Sequence, residues 1–316
     1  REWSLSPAQT GWIGSIGLIG MALGAVLAGT IADRIGRKQV FTLTVLLYSI
    51  STGLCAIAWN YESLLVFRFL VGFGLGGELP VAEKPFLDQL APQTVQAETV
   101  ETPGFPALWA KGMRQRTIML WCAWFGIVFS YYGIFMWLPS IVYAQGFEIV
   151  KTFEYVLVMT LAQLPGYYAA AYLVDVIGRR YTLGLFLLLS GVCSYFFGNA
   201  GDVTALLIWG AAMSFFNLGA WGVIYTYTPE QYPTAMRALG SGWAAGFGRI
   251  GGMIAPMLVG VMLANAFPMS GIFMMFAAVF VLISGTVILL GRESKQQTLE
   301  ELEHLLDEEA MSLRKN

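Results

Sequence analysis

The sequence predicts an all-α protein that crosses the membrane many times, and three observations carry this. Of the 316 residues, 57% are hydrophobic and only 12% are charged, about half the charged share of a soluble domain. The hydrophobic residues gather into runs of about 20, the length a helix needs to cross the hydrocarbon core. The basic residues then alternate from loop to loop in a way that gives the chain one consistent orientation.

Nine runs can be delimited: Gly11–Ala32, Val40–Trp59, Leu64–Val81, Ile118–Tyr143, Phe153–Val174, Tyr181–Ala200, Val203–Tyr227, Ala238–Ala264 and Gly271–Leu290. Most connections are short and polar, such as Asn60 to Ser63, as in antiparallel helical hairpins. Glu83–Arg116 is the exception. Its Pro85, Pro92, Pro103, Pro106 and mixed charge read as a loop between two bundles. The chain is thus expected to comprise a first bundle (1–82), a connecting loop (83–116), a second bundle (117–291) and a tail (292–316).

In the first run, Gly11, Gly14, Gly17, Gly20 and Gly24 recur every three or four residues, a stripe that lets another helix approach closely. With the loop after this run placed in the cytoplasm, fourteen of the 18 Lys and Arg residues fall inside; Arg1 and Lys151 lie outside, and Arg68 and Arg249 within spans. The expected location is the cell membrane, multi-pass, with a cytoplasmic C-terminus. Thr298–Asp307, with Leu299, Leu302 and Leu306, reads as a surface helix carrying the single histidine, His304.

Several function classes drop out. Cys55, Cys122 and Cys193 stand singly in apolar runs, so neither a metal site nor any other cofactor is called for. The net charge of −2 without a basic stripe excludes nucleic acid as a partner. Gly72, Gly74 and Gly77 satisfy the spacing of a dinucleotide fingerprint, but they lie inside an apolar helix rather than after a strand. The loops hold no nucleophile–base pair, so an enzyme is not expected. The remaining partners are the lipid bilayer, a small-molecule substrate and, as a coupling candidate, protons. Nothing in the sequence speaks to oligomeric state.

An internal repeat points further. Gly29, Asp33, Arg34, Gly36 and Arg37 follow the first run, and Asp175, Gly178 and Arg179 recur at matching offsets after the fifth, with Ala171 and Val176 departing from the pattern. Repeated elements in two halves of a hydrophobic chain mark secondary transporters. The first loop resembles the loop motif of the major facilitator superfamily. Arg68, Gly72 and Gly74 resemble its fourth-helix motif, Pro229, Glu230, Pro233 and Arg237 the loop of its sugar-porter-like branch, and Arg292, Glu293, Lys295 and Thr298 that branch's tail. Within the branch, Trp12–Ile16, Gly76–Pro80, Ser130–Gly133, Leu161–Tyr167 and Phe215–Trp221 resemble bacterial niacin permeases.

The resemblance implies two bundles rocking about a site near the midplane, with the Asp33 and Asp175 loops, Glu230 and Arg237 as a conformational latch. It implies a small organic anion as substrate: nicotinate or a related aromatic carboxylate. Aligned by motif, the runs match the family's helices two to four and seven to twelve. Helices one, five and six are expected to be absent, with a junction near Ala82, and a segment upstream of Arg1 is expected. A transport-inactive, scaffold- or receptor-like membrane protein, or a transporter of sugars or other organic ions, are the alternatives.

Candidate site residues follow from what a bilayer tolerates. Arg68 and Arg249 inside spans need a partner or an aqueous cavity, and a guanidinium suits a carboxylate. Tyr131, Tyr132, Gln163, Tyr167, Asn217, Trp221 and Tyr225 could stack on a flat ring and hydrogen-bond its polar head. Ordinary packing is the competing account for each of them. Glu78, near the end of its run, is the coupling candidate; an interfacial acid is its plainer reading.

Overall fold

The computed structural model describes residues 3–35, 37–90, 104–144, 148–233 and 236–295. The described residues contain helices and connections, and no strand. In chain order the helices are α1 (Pro7–Ile35), α2 (Arg37–Ala56), α3 (Tyr61–Leu90), a 3-10 turn (Phe105–Trp109), α4 (Arg114–Ala144), α5 (Ile149–Leu161), α6 (Gln163–Ile177), α7 (Arg179–Gly198), α8 (Val203–Glu230), α9 (Arg237–Ala264) and α10 (Met269–Leu290).

Seven helical segments among the described residues are long and apolar enough to cross a membrane. They are α2, α4, α5 with α6, α7, α8, α9 and α10. The two other apolar runs fall on α1 and α3, parts of which lie outside the described side chains. Two details add to the expected runs. The run Phe153–Val174 is interrupted at Ala162, between α5 and α6. Pro165 explains this, because it has no N–H for the Leu161 carbonyl and its ring crowds that group. Helix α3 continues to Leu90, past Glu83, where the loop was expected to begin. Ala82, Glu83, Lys84, Leu87 and Gln89 are good helix formers, and they outweigh the prolines as stop signals.

The chain forms two compact units: Arg1–Val100 with Gly252–Ala266, and Glu101–Gly251 with Phe267–Asn316. In the first, the glycine stripe does what its spacing suggests. A methyl group on Gly20 or Gly24 of α1 would overlap the carbonyl of Phe69 or Phe73, and one on Gly72 or Gly76 of α3 would overlap that of Gly17 or Met21. Small residues on both helices thus bring the two backbones into contact. In the second unit, α7 and α10 are joined by Ser194 donating to the Phe273 carbonyl (3.1 Å) and Ser284 donating to the Gly184 carbonyl (2.7 Å). Helix α8 begins at Asp202, whose carboxylate accepts from the Ala205 N–H at 2.8 Å, the usual answer to unmet amides at a helix start.

Candidate functional site

The second unit holds a face lined by aromatic rings. On α8, Ser214, Asn217, Trp221 and Tyr225 recur at three- and four-residue spacing, so they share an arc of about 80° on the helix surface. This stripe meets α4. The Trp221 ring centroid lies 5.0 Å from that of Tyr131 and 6.5 Å from that of Trp124, and Tyr225 packs edge-on against Trp124 at 4.9 Å. Tyr131 also meets Tyr132 at 5.5 Å and Phe135 at 4.8 Å.

Three devices hold these rings. The Trp124 indole N–H donates to Thr228 Oγ1 at 2.9 Å. On α9, Gly248 leaves room for the Trp124 backbone, with a Cβ there 3.1 Å away. From α6, Tyr167 lies against Gly222, where a Cβ would come within 2.8 Å of its ring. Helices α6 and α8 approach this closely because Gly166 rests on the Phe215 carbonyl, which a methyl group would overlap.

The same helices carry polar groups without partners. Asn217 is completely buried, and neither its Oδ1 nor its Nδ2 has a hydrogen-bond partner among the described residues. The hydroxyls of Ser130 and Ser214 and Nε2 of Gln163 are likewise buried and unpartnered. Each such atom costs about 1–3 kcal/mol relative to a satisfied one, so it calls for a bound group or ordered water. Arg249 is half-buried on α9, next to Gly248. Arg68 is exposed on α3, in the other unit. The structure thus brings together Tyr131, Tyr132, Tyr167, Trp221 and Tyr225 and places Asn217 one turn from Trp221, while Arg68 belongs to the other unit.

A second cluster forms where α6 turns into α7. Gly178 has φ +96° and ψ 165°, a conformation essentially restricted to glycine. The Glu293 carboxylate, from the end of α10, accepts from the backbone N–H of Arg179 (2.9 Å) and of Arg180 (3.1 Å). It thereby caps α7 from 114 residues away in the chain. The Arg179 guanidinium pairs with Glu230 at 3.3 Å and reaches Asp175 at 3.9 Å. Ser294 donates its hydroxyl to Glu230, and Arg237 donates to the Pro229 carbonyl at 3.0 Å. Asp175 is mostly exposed, so its pair is worth little; the half-buried Arg179–Glu230 pair is the stronger contact. Of the first repeat and the coupling candidate, the side chains of Gly29, Asp33, Arg34, Gly36, Arg37 and Glu78 lie outside the described residues.

Sequence reasoning passed over Trp124, Ser214 and Glu293 as site residues. Trp124 is hidden in a run crowded with aromatics. Glu293 has a visible signal: it is an acid three residues beyond the end of a span, followed by Ser294 and Lys295.

Comparison with known proteins fits this architecture. The Major Facilitator Superfamily matches residues 1–94 and 155–311. This chain belongs to that family. The niacin transporter NiaP of Acinetobacter baylyi is 39% identical over 394 residues, covering 96% of this chain and 89% of the relative. The putative niacin/nicotinamide transporter NiaP of Bacillus subtilis is 40% identical over 361 residues, covering 95% and 90%. Both alignments are longer than the 316 residues of this chain, so the relatives carry internal stretches without a counterpart here. Among solved structures, the inward-open xylose transporter XylE from E. coli superposes with a TM-score of 0.68 at 16% identity, covering 96% of this chain and 91% of that one. That similarity concerns the fold alone. These relatives are transporters and not enzymes, and the chain is a multi-pass membrane protein of their kind.

Proposed function

We propose that this protein carries a small aromatic acid of the nicotinate class across the membrane by alternating access. One observation carries the reading: an amide with both polar atoms unmet, Asn217, lies one turn from Trp221 in a face of Tyr131, Tyr167 and Tyr225. A flat ring stacked on Trp221 would bring its polar head to Asn217. Two relatives named as niacin transporters, at 39% and 40% identity, support the substrate class. Arg249 supplies positive charge that draws the anion to this helix group.

Two bundles would rock about this site. Asp175, Gly178, Arg179, Glu230 and Arg237, with Glu293 added, form the latch on the cytoplasmic side, where the tail also lies. Glu78 remains the candidate acid for a coupling proton. The test is uptake of labelled nicotinate into proteoliposomes. The expected result is saturable uptake that unlabelled nicotinate suppresses and Trp221→Leu abolishes. Uptake no faster than in empty liposomes sinks the transport reading. A second reading, a chain that binds without transporting, is favoured by the internal stretches present only in the relatives; it predicts nicotinate binding to purified protein without uptake.

A further inference from the structure

We propose that the α4/α8 site recognises the head of its aromatic substrate in an uncharged form, as a protonated carboxylic acid or a carboxamide, through the donor–acceptor pair of Asn217. This rests on the aromatic-acid reading and specifies which form of the acid is bound.

The argument begins with what Asn217 lacks. Its Nδ2 is an unmet donor and its Oδ1 an unmet acceptor, both wholly buried. An ionised carboxylate offers acceptors only. It could satisfy Nδ2, but its second oxygen would face Oδ1, oxygen against oxygen. It would also place a full charge in a membrane-spanning core, where such a group takes up a proton instead. A protonated acid fits both atoms: its O–H donates to Oδ1 and its C=O accepts from Nδ2. A primary carboxamide does the same through its N–H. A methyl ester can only accept.

The surroundings place the proton on the ligand. Helices α4, α5, α6 and α7 pack against α8. Their titratable groups toward the site are Tyr131 and Tyr132 of α4 and Tyr167 of α6, with Tyr225 on α8 itself; Cys193 of α7 is buried. The charged residues on these helices sit toward the ends, as do Arg114 and Arg116 on α4, Lys151 on α5, Asp175 on α6, Arg179 and Arg180 on α7 and Glu230 on α8, except Glu154, which is exposed midway along α5. None of the side chains toward the site is a carboxylic acid or an imidazole, the groups that ordinarily exchange protons with a bound acid near neutral pH. The acid therefore takes one proton from solvent as it binds and carries that proton with it.

The test uses the full chain in lipid nanodiscs, with nicotinate, nicotinamide and methyl nicotinate binding measured at pH 6.0, 6.8 and 7.5. Nicotinate affinity should fall roughly tenfold per pH unit, one proton's worth, while nicotinamide affinity stays flat. Methyl nicotinate should bind at least about tenfold more weakly than nicotinamide, because it leaves Oδ1 unmet. Asn217→Leu should erase the difference between amide and ester; if that variant does not fold, the three ligands on the unaltered chain decide. Nicotinate binding that does not change with pH overturns the inference and leaves the aromatic-acid reading standing. Binding of none of the three to folded protein overturns both.

Discussion

Gly178→Ala tests the turn between α6 and α7 through two separable effects. At φ +96° and ψ 165°, any side chain costs about 1–3 kcal/mol of backbone strain. The new methyl group would also meet the Glu293 carboxylate, with Oε1 at 2.6 Å. That carboxylate ends a flexible side chain and can move, but only by leaving the N–H groups of Arg179 and Arg180. Gly178 itself supplies no side-chain cap to α7, so those amides lose their protein acceptor, at a further cost of about 1–3 kcal/mol. The expected destabilisation is about 2–6 kcal/mol, read from reversible denaturant titration in mixed micelles. Gly201→Ala is the control, since a Cβ there meets nothing within 4 Å; it should change stability by less than about 0.5 kcal/mol. In a Glu293→Ala background the carboxylate is already gone, so Gly178→Ala should cost only the backbone part. The double-mutant cycle then shows a coupling of about 1 kcal/mol or more. Strict additivity, or a Gly178→Ala protein as stable as the parent, refutes the reasoning.

Three further outcomes are expected. Gly166→Val pushes α6 off the Phe215 carbonyl and should weaken nicotinate binding by more than tenfold by moving Tyr167, whereas Gly242→Ala, which meets nothing, should not; isothermal calorimetry reads both. Arg249→Gln should slow the association of nicotinate several-fold and leave that of nicotinamide unchanged, because attraction at a distance acts only on the anion in solution; equal effects on both association rates would contradict this. Tyr232, just beyond α8, is buried, and burial holds its hydroxyl above its ordinary range despite its hydrogen bond to Thr117. The folded state therefore keeps that proton longer than the unfolded state does. The resulting stability is complete below about pH 10 and is lost as pH rises through the folded value. Tyr232→Phe should flatten the stability profile above pH 10.

Much of the fold was legible because the bilayer imposes one rule on every span. Runs of about 20 apolar residues must be helices, and glycines three and four apart let another backbone approach, as at Gly20, Gly24, Gly72 and Gly76. What stayed hidden depended on which atoms meet. Nothing in the spacing distinguishes Trp124, tied to Thr228 and packed on Tyr225, from Trp121 three residues earlier. Glu293 could be quoted as part of a tail motif, but its role at the start of α7 joins residues 114 apart, a pairing no local pattern encodes. Asn217 was readable as a mid-span amide needing a partner; that both of its polar atoms are unmet is a property of the packed structure.

The central claim is that an aromatic acid sits between α4 and α8. Photo-crosslinking with a diazirine-bearing nicotinate, followed by peptide mapping by mass spectrometry, tests it most directly. The account predicts label within Trp124–Phe135 and Ser214–Tyr225, suppressed by excess nicotinate. Label that nicotinate suppresses but that falls on other helices, such as α2 or α10, would contradict it.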